Sequence, residues 1–324
     1  MSKRVLRTSI AVSILFCSIT SLFGQKSGYA ISFSIDGLKD TTAYLGYYYG
    51  ESTYIKDTAH VDSKGNFTFQ KATPLPQGVY FLVLNRSRLF EIVVGPNQHF
   101  ALKTNTSDYI KNMAVTNDLD NQLFFGNMLF NMERHKEAQP FIKILQDSSL
   151  AADQKLEARK SFDMVNNKVL AYQQNIIDQH PETMTARLFK ATKQIKIPEP
   201  PRRSDGTTDS TFQLKWYRQH FFDYFDLGDD ALLRLPKPIY TEKLNEYIDR
   251  LYAPQPDTLL KVIHRLASIA KKNQETYKYL VWNCLLKYQN PEIMGLDRVF
   301  VELYDTYYES GEMDFWINAK TKSR

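Results

Sequence analysis

Few side chains in this sequence of 324 residues are spaced to do chemistry. The six histidines are His60, His99, His135, His180, His220 and His264. None forms His-x-x-x-His or stands with carboxylates at metal-ligand spacing, which argues against a zinc hydrolase. There is no Cys-x-x-Cys, no Gly-x-Ser-x-Gly elbow, no Walker loop and no Gly-x-Gly-x-x-Gly fingerprint. His264 borders an apolar helical stripe and reads as a boundary histidine without a nucleophile or second ligand beside it. No catalytic, cofactor-binding or metal-ligating residue is assigned from the sequence.

Three features are left to weigh. Cys284 is the only thiol after the first 24 residues. One reading is a reactive or mixed-disulfide cysteine; the other, favoured by its stripe with Tyr277, Val281 and Tyr288, is a small buried hydrophobe. Tyr47, Tyr48 and Tyr49 are consecutive, so in a strand at least one must face away from the core. They read first as edge-strand or interdomain packing and second as a stacking platform for a sugar or peptide. Asp229-Asp230 could pass for an acid pair, but its position near a helix start fits a cap followed by a first-turn acid. Arg202-Arg203 lies in a proline-rich stretch and reads as solvated linker.

The elements that hold these residues change period near residue 118. From Tyr29 to Thr104 the pattern alternates: Tyr29, Ile31, Phe33 and Ile35 share one face, and Asp62 to Asn66 and Gly95-Pro96-Asn97 mark turns. Short strands without intervening helices predict a small antiparallel β-sandwich. After Asp118 the period is helical. Ala158, Phe162, Val165, Val169, Tyr172 and Ile176 form one long stripe, with Ser149 as expected N-cap and Pro181 as stop. Residues 196–206, with three prolines and a glycine, interrupt the pattern. Further stripes are Leu214/Tyr217/Phe221/Tyr224, Leu259/Ile263/Leu266/Ala270, Tyr277/Val281/Cys284/Tyr288 and Leu296/Phe300/Leu303/Tyr307. Gly311 fits a C-terminal cap. The fold class is α+β: a sandwich over 25–117, a helical segment with one long helix over 118–197 and an all-α region over 198–324.

Residues 1–24 read as a secretory leader. Lys3, Arg4 and Arg7 precede an uncharged stretch from Thr8 to Gly24, which is short for a membrane span and interrupted by Ser and Thr. The expected cleavage is near Gly24–Gln25; an uncleaved N-terminal anchor is the alternative. Lipidation at Cys17 is disfavoured because bulky Phe16 precedes it. The expected location is the periplasm or cell envelope, with no membrane span after cleavage. The leader holds three of the chain's net +5 charges, leaving +2 and no basic stripe, so no nucleic-acid partner is expected. A single remaining thiol excludes an internal disulfide in the exported chain.

The order of motifs carries a resemblance. Val61-Asp-Ser-Lys-Gly-Asn-Phe-Thr-Phe69 and Leu75-Pro-Gln-Gly-Val-Tyr80 occupy the β region. Phe221-Phe-Asp-Tyr-Phe-Asp-Leu227, Leu233-Arg-Leu-Pro236, Lys243-Leu-Asn-Glu-Tyr247, Ile293-Met-Gly-Leu-Asp-Arg-Val-Phe-Val301 and Tyr307-Tyr-Glu-Ser-Gly311 occupy the helical region. Together they resemble the N-terminal part of TlpA-like envelope thiol–disulfide oxidoreductases, in which two domains precede a thioredoxin-like domain. The resemblance implies redox chemistry at a Cys-x-x-Cys motif that these residues do not contain, and the ending at Lys320, Lys322 and Arg324 reads as a truncation before such a domain. The expected function is a non-catalytic envelope module that docks or positions a redox domain or an envelope protein. The alternatives are a helical-repeat-like binding module, with helix starts near 239, 256, 275 and 295, and an enzyme with its site at the β/helical junction.

Overall fold

The computed structural model describes residues 28–314 apart from 203. Phe16 and Cys17 within the expected leader, Arg203, and Lys320, Lys322 and Arg324 lie outside the described residues. The described chain begins with eight strands, β1 (Tyr29–Asp36), β2 (Thr41–Tyr49), β3 (Ser52–Val61), β4 (Asn66–Lys71), β5 (Gly78–Leu84), β6 (Ser87–Val94), β7 (His99–Asn105) and β8 (Ala114–Thr116). They build two four-stranded sheets, ordered β4-β1-β7-β8 and β3-β2-β5-β6. Ile31, Phe33, Phe69 and Leu102 of the first sheet meet Leu45, Leu82 and Ile92 of the second in one apolar interior.

All strand pairs are antiparallel except β1 with β7, which is parallel. The reason lies in the connection. β6 and β7 belong to different sheets, so the chain crosses the sandwich at 95–98 instead of turning back on itself. Buried Gln98 ties this crossing down by accepting from the Leu75 amide at 2.8 Å and donating to the Leu75 carbonyl at 2.8 Å. The Asp62 turn forms as its sequence predicts, with Oδ1 accepting from the amides of Lys64 and Asn66 at 2.8 Å each.

The second sheet is covered on both faces. Its inner side chains join the sandwich interior, while Tyr48, Val79, Phe81 and Val93 on the outer face pack into the helical core. This explains why β5 reads Gly-Val-Tyr-Phe-Leu-Val-Leu, a nearly continuous apolar run, instead of alternating. At Val93 the β6 edge is capped by a side chain: Asn121 accepts from the Val93 amide at 2.9 Å and donates to its carbonyl at 2.7 Å, as a neighbouring strand would.

The helices are α1 (Leu119–Gln146), α2 (Ala152–Gln179), α3 (Met184–Ala191), α4 (Phe212–His220), α5 (Ile239–Asn245), α6 (Pro256–Ala270), α7 (Gln274–Gln289) and α8 (Asp297–Tyr304). The chain of α5 runs on into a π-helical turn over Glu246–Arg250, and that of α8 into one over Asp305–Glu309. Asp118 caps α1, its carboxylate accepting from the Asn121 amide at 2.8 Å. α1 and α2 form an antiparallel hairpin, each arm about 42 Å long at 1.5 Å per residue. The predicted α2 stripe faces α1, with Ala158, Val165 and Ile176 buried and Tyr172 stacked on Phe130 at 4.3 Å.

Two expectations are corrected. Ser149 does not cap α2; its hydroxyl donates to Asp147 at 2.6 Å, and the helix begins two residues later than that cap requires, behind Ala151. Leu214, Tyr217, Phe221 and Tyr224 do not share one helical stripe, because α4 ends at His220 and Leu214 is exposed. Past that end the chain turns, so Phe221 and Phe225 are buried where a continuing helix would have buried Tyr224. The stripes on α6, α7 and α8 are buried as expected, with Phe300 only partly so, and Gly311 follows the last helical turn at φ +83°. Among the described residues no helix is long and apolar enough to cross a membrane.

Candidate functional site

The three consecutive tyrosines do not form one platform. Strand alternation turns Tyr48 outward from the sandwich, where it is buried against the helices; its hydroxyl donates to Glu91 at 2.5 Å and accepts from Arg88. Burial and the Glu91 contact raise its pKa. Tyr47 and Tyr49 instead line a cleft of about 300 Å³ between the second sheet and the helical region.

Strand pairing assembles the cleft's aromatic wall. Tyr47 lies directly opposite Tyr54 on β3 and Tyr80 on β5. The three rings form a row across the sheet, with centroids 5.6 Å and 5.9 Å apart. Exposure falls along that row, from 50% at Tyr54 to 0% at Tyr80. The β2–β3 register slips between Leu45 and Gly46, leaving Lys56 as the extra residue of a bulge. Its ammonium lies 6.0 Å from the Tyr47 ring centre, an example of a bulge re-aiming a side chain.

The opposite wall comes from the helical region. The 3₁₀ turn Asp230–Leu233 docks by its backbone on the sheet: the Leu233 carbonyl accepts from the Gly50 amide at 2.8 Å, and that of Arg234 from the Val79 amide at 2.7 Å. These contacts require glycine at two places. A Cβ on Gly50, at φ +57°, would strike the Tyr279 ring, and one on Gly78, at φ +148°, would strike the Arg234 side chain.

Arg234 thereby becomes the cleft's floor. Its side chain is 5% exposed, and Nη1 donates to the Asp230 carboxylate at 2.7 Å and to the Asp230 carbonyl at 2.9 Å. Its guanidinium carbon is 5.9 Å from the Tyr49 ring centre. Among the described residues, Nε has no hydrogen-bond acceptor. A buried guanidinium N–H without a partner is uncommon, because its desolvation is not offset. Asp230 also accepts from Asn273, the N-cap of α7, at 3.1 Å, which ties the floor to the wall carrying Glu275 and Lys278. Glu275 accepts from the Tyr49 hydroxyl at 3.0 Å and pairs with Lys278 at 3.6 Å.

Burial raises the pKa of both Tyr49 and Tyr80, and Glu275 raises that of Tyr49 further. Both phenols stay protonated at neutral pH. Their single O–H groups are spent inside the protein, Tyr49 on Glu275 and Tyr80 on the Pro76 carbonyl at 2.8 Å, so what they bring to the cleft is uncharged ring surface.

The other candidates resolve into structure. Asp229 caps the 3₁₀ turn, accepting from the Ala231 amide at 3.1 Å, and holds Arg187 at 2.9 Å; Asp230 serves Arg234. Arg187 and Asp229 line a second cavity of about 380 Å³ with Phe222 and Ile269. Cys284 is 1% exposed, and burial pushes its thiol up to about 12, so it carries almost no thiolate at neutral pH. His264 bonds the Tyr307 hydroxyl through Nδ1 at 2.7 Å. Among the described residues no group of three or more His, Cys, Asp or Glu side chains could hold a metal ion. Arg202 forms one isolated bridge with Thr208 and is exposed.

The sequence pattern did not single out Tyr54, Lys56, Tyr80, Arg234, Glu275 or Lys278 as site residues. Pairing the run of tyrosines through a Gly50 turn would have brought Tyr54 opposite Tyr47. Arg234 stands inside the Leu233-Arg-Leu-Pro236 motif, but nothing local indicates that it is buried.

Comparison with known families places this geometry. A domain family described as a domain of unknown function, DUF5106, matches residues 154–324, more than half of the chain. The chain belongs to the DUF5106 family. A second domain of unknown function, DUF4369, matches residues 29–124, the sandwich with the first turns of α1. The cleft is therefore built from both matched segments, with Tyr47, Tyr54 and Tyr80 in the first and Arg234 and Glu275 in the second. No curated protein and no solved structure matches the chain.

Proposed function

We propose that this chain is a non-catalytic envelope module that docks a partner in the cleft between its sandwich and its helices. In this reading the partner is a thioredoxin-like domain or another envelope protein, as the resemblance to TlpA-like oxidoreductases implies. The observation that carries the reading is Arg234: a guanidinium 5% exposed, with one N–H unpartnered among the described residues, on the floor of a cleft walled by tyrosines from three strands. Its neighbours are suited to recognition. Burial keeps the Tyr49 and Tyr80 phenols neutral, so their rings stand as uncharged surface beside the planar guanidinium fork of Arg234.

The test adds a thioredoxin-like domain of a TlpA-like protein in trans to the full chain and maps hydrogen exchange. Protection confined to 47–56 and 230–236, lost on Tyr47→Ser, supports docking in the cleft. Protection elsewhere, or equal binding by Tyr47→Ser, contradicts it. Export is checked separately by N-terminal sequencing of the protein made in a Gram-negative host: a start at Gln25 is expected, and an intact Met1 in the cytoplasm overturns the envelope assignment.

A further inference from the structure

Two features next to the cleft narrow its ligand, and this inference rests on the binding reading above. The first is charge. Lys56, Arg234 and Lys278 line the cleft with Glu275, and Asp230 pairs with Arg234 behind it, so three cations stand against two carboxylates; the Arg234 Nε has no protein acceptor among the described residues. A guanidinium pairs best with a carboxylate, which takes two N–H groups in one plane. The second is the sheet edge. β3 is the outermost strand of the second sheet, and its half from Ser52 to Lys56 is exposed, including Tyr54 at 50% and Ile55 at 54%. Farther along, that strand is tied to the first sheet through Asp57, which accepts from Lys71 and from Tyr29. The opposite edge, β6, is capped at Val93 by Asn121.

An exposed strand edge offers backbone donors and acceptors that another extended chain can use. Tyr54 and Lys56, two residues apart, both point into the cleft, so a chain laid along this edge has alternate side chains over the tyrosine row.

We propose that the ligand of the cleft is an acidic, extended peptide segment that pairs with the exposed edge of β3 and directs a carboxylate toward Arg234. Lys56 and Lys278 attract the segment, the Tyr54–Tyr47–Tyr80 row supports its side chains, and Arg234 selects the carboxylate. Charge complementarity favours this occupant over a neutral peptide, and the strand edge favours a peptide over an acidic glycan, which has no strand backbone to pair.

The test measures fluorescence anisotropy of the full chain with a short labelled peptide of alternating Glu and Thr, its Gln/Thr counterpart, and a labelled oligogalacturonate. The Glu/Thr peptide is expected to bind roughly tenfold or more tightly than the Gln/Thr peptide, with the difference shrinking as salt rises. The double variant Lys56→Gln/Lys278→Gln, which removes both ammonium groups without adding a carboxylate beside Glu275, is expected to lose that preference while its urea midpoint shows that it folds. N-methylation of alternate amides of the Glu/Thr peptide is expected to weaken binding in one phase and spare it in the other. Equal binding of the two peptides, or a preference kept by the double variant, overturns the proposal. Binding of oligogalacturonate alone overturns the peptide assignment while leaving the binding module intact. If no probe binds, the peptide proposal fails here, and the thioredoxin-domain experiment decides the docking reading on its own.

Discussion

The two sides of the second sheet differ in what they bury. The inner side meets the first sheet through aliphatic and phenyl groups such as Leu45, Phe69 and Leu82. The outer side and its end meet the helices partly through polar bridges: Tyr49 to Glu275, the Val79 amide to the Arg234 carbonyl, and the Val93 backbone to Asn121 of α1. The first arrangement is insensitive to the identity of any one hydrogen-bonding group and sensitive to volume. The second is the reverse. The sandwich supplies a volume-filled apolar interior, whereas the junction supplies directed hydrogen bonds, and the cleft lies where the two arrangements meet.

The largest effect should come from the apolar side. Phe69→Ala removes a ring that is 1% exposed and in edge contact with Phe33 and Phe67, and should cost about 3–5 kcal/mol in urea unfolding. A loss below about 1 kcal/mol would show that the interior is less tightly filled than its contacts indicate. On the junction side, Tyr49→Phe keeps the ring and deletes only the bond to Glu275, so about 1 kcal/mol is expected in the same measurement. A loss as large as that of Phe69→Ala would erase the distinction between the two regions.

A pH effect should be found within the helical core. Burial lowers the His264 pKa, with Glu302 opposing. The unfolded chain then binds the proton more readily than the folded one. The contribution is complete above about pH 6.5, the ordinary histidine value, and is lost as pH falls through the lowered folded value. Unfolding midpoints of the wild type and His264→Gln should therefore converge as pH falls through this window; parallel curves would contradict it. The smallest effect belongs to the solvent-facing arm. Lys160→Ala removes an exposed pair with Glu157, and its unfolding midpoint should shift by about 0.5 kcal/mol or less.

The α+β order was legible because each part has a clean period. Tyr29, Ile31, Phe33 and Ile35 alternate, and Leu259, Ile263, Leu266 and Ala270 recur at helical spacing; both sets are buried. Less legible was anything set by the partner of an element. The parallel pairing of β1 and β7 depends on where the chain crosses between sheets, and hydrophobic alternation is the same for either direction. Ser149 has the right residue type for a cap, yet Asp147 captures its hydroxyl. The site was half visible. Tyr47, Tyr48 and Tyr49 stood out as a run, but which of them lines a cleft depends on the bulge at Lys56 and on a turn almost 200 residues away that brings Arg234. Its burial follows from backbone bonds to Gly50 and Val79, which no local pattern announces.

Pairing of an acidic extended segment with the open edge of β3 would protect the backbone amides of Ser52–Lys56, which hydrogen exchange reads residue by residue. With the Glu/Thr peptide at saturation, exchange in this stretch should slow while the already paired β5 amides remain unchanged. Unchanged exchange at Ser52–Lys56 under saturating peptide would contradict it.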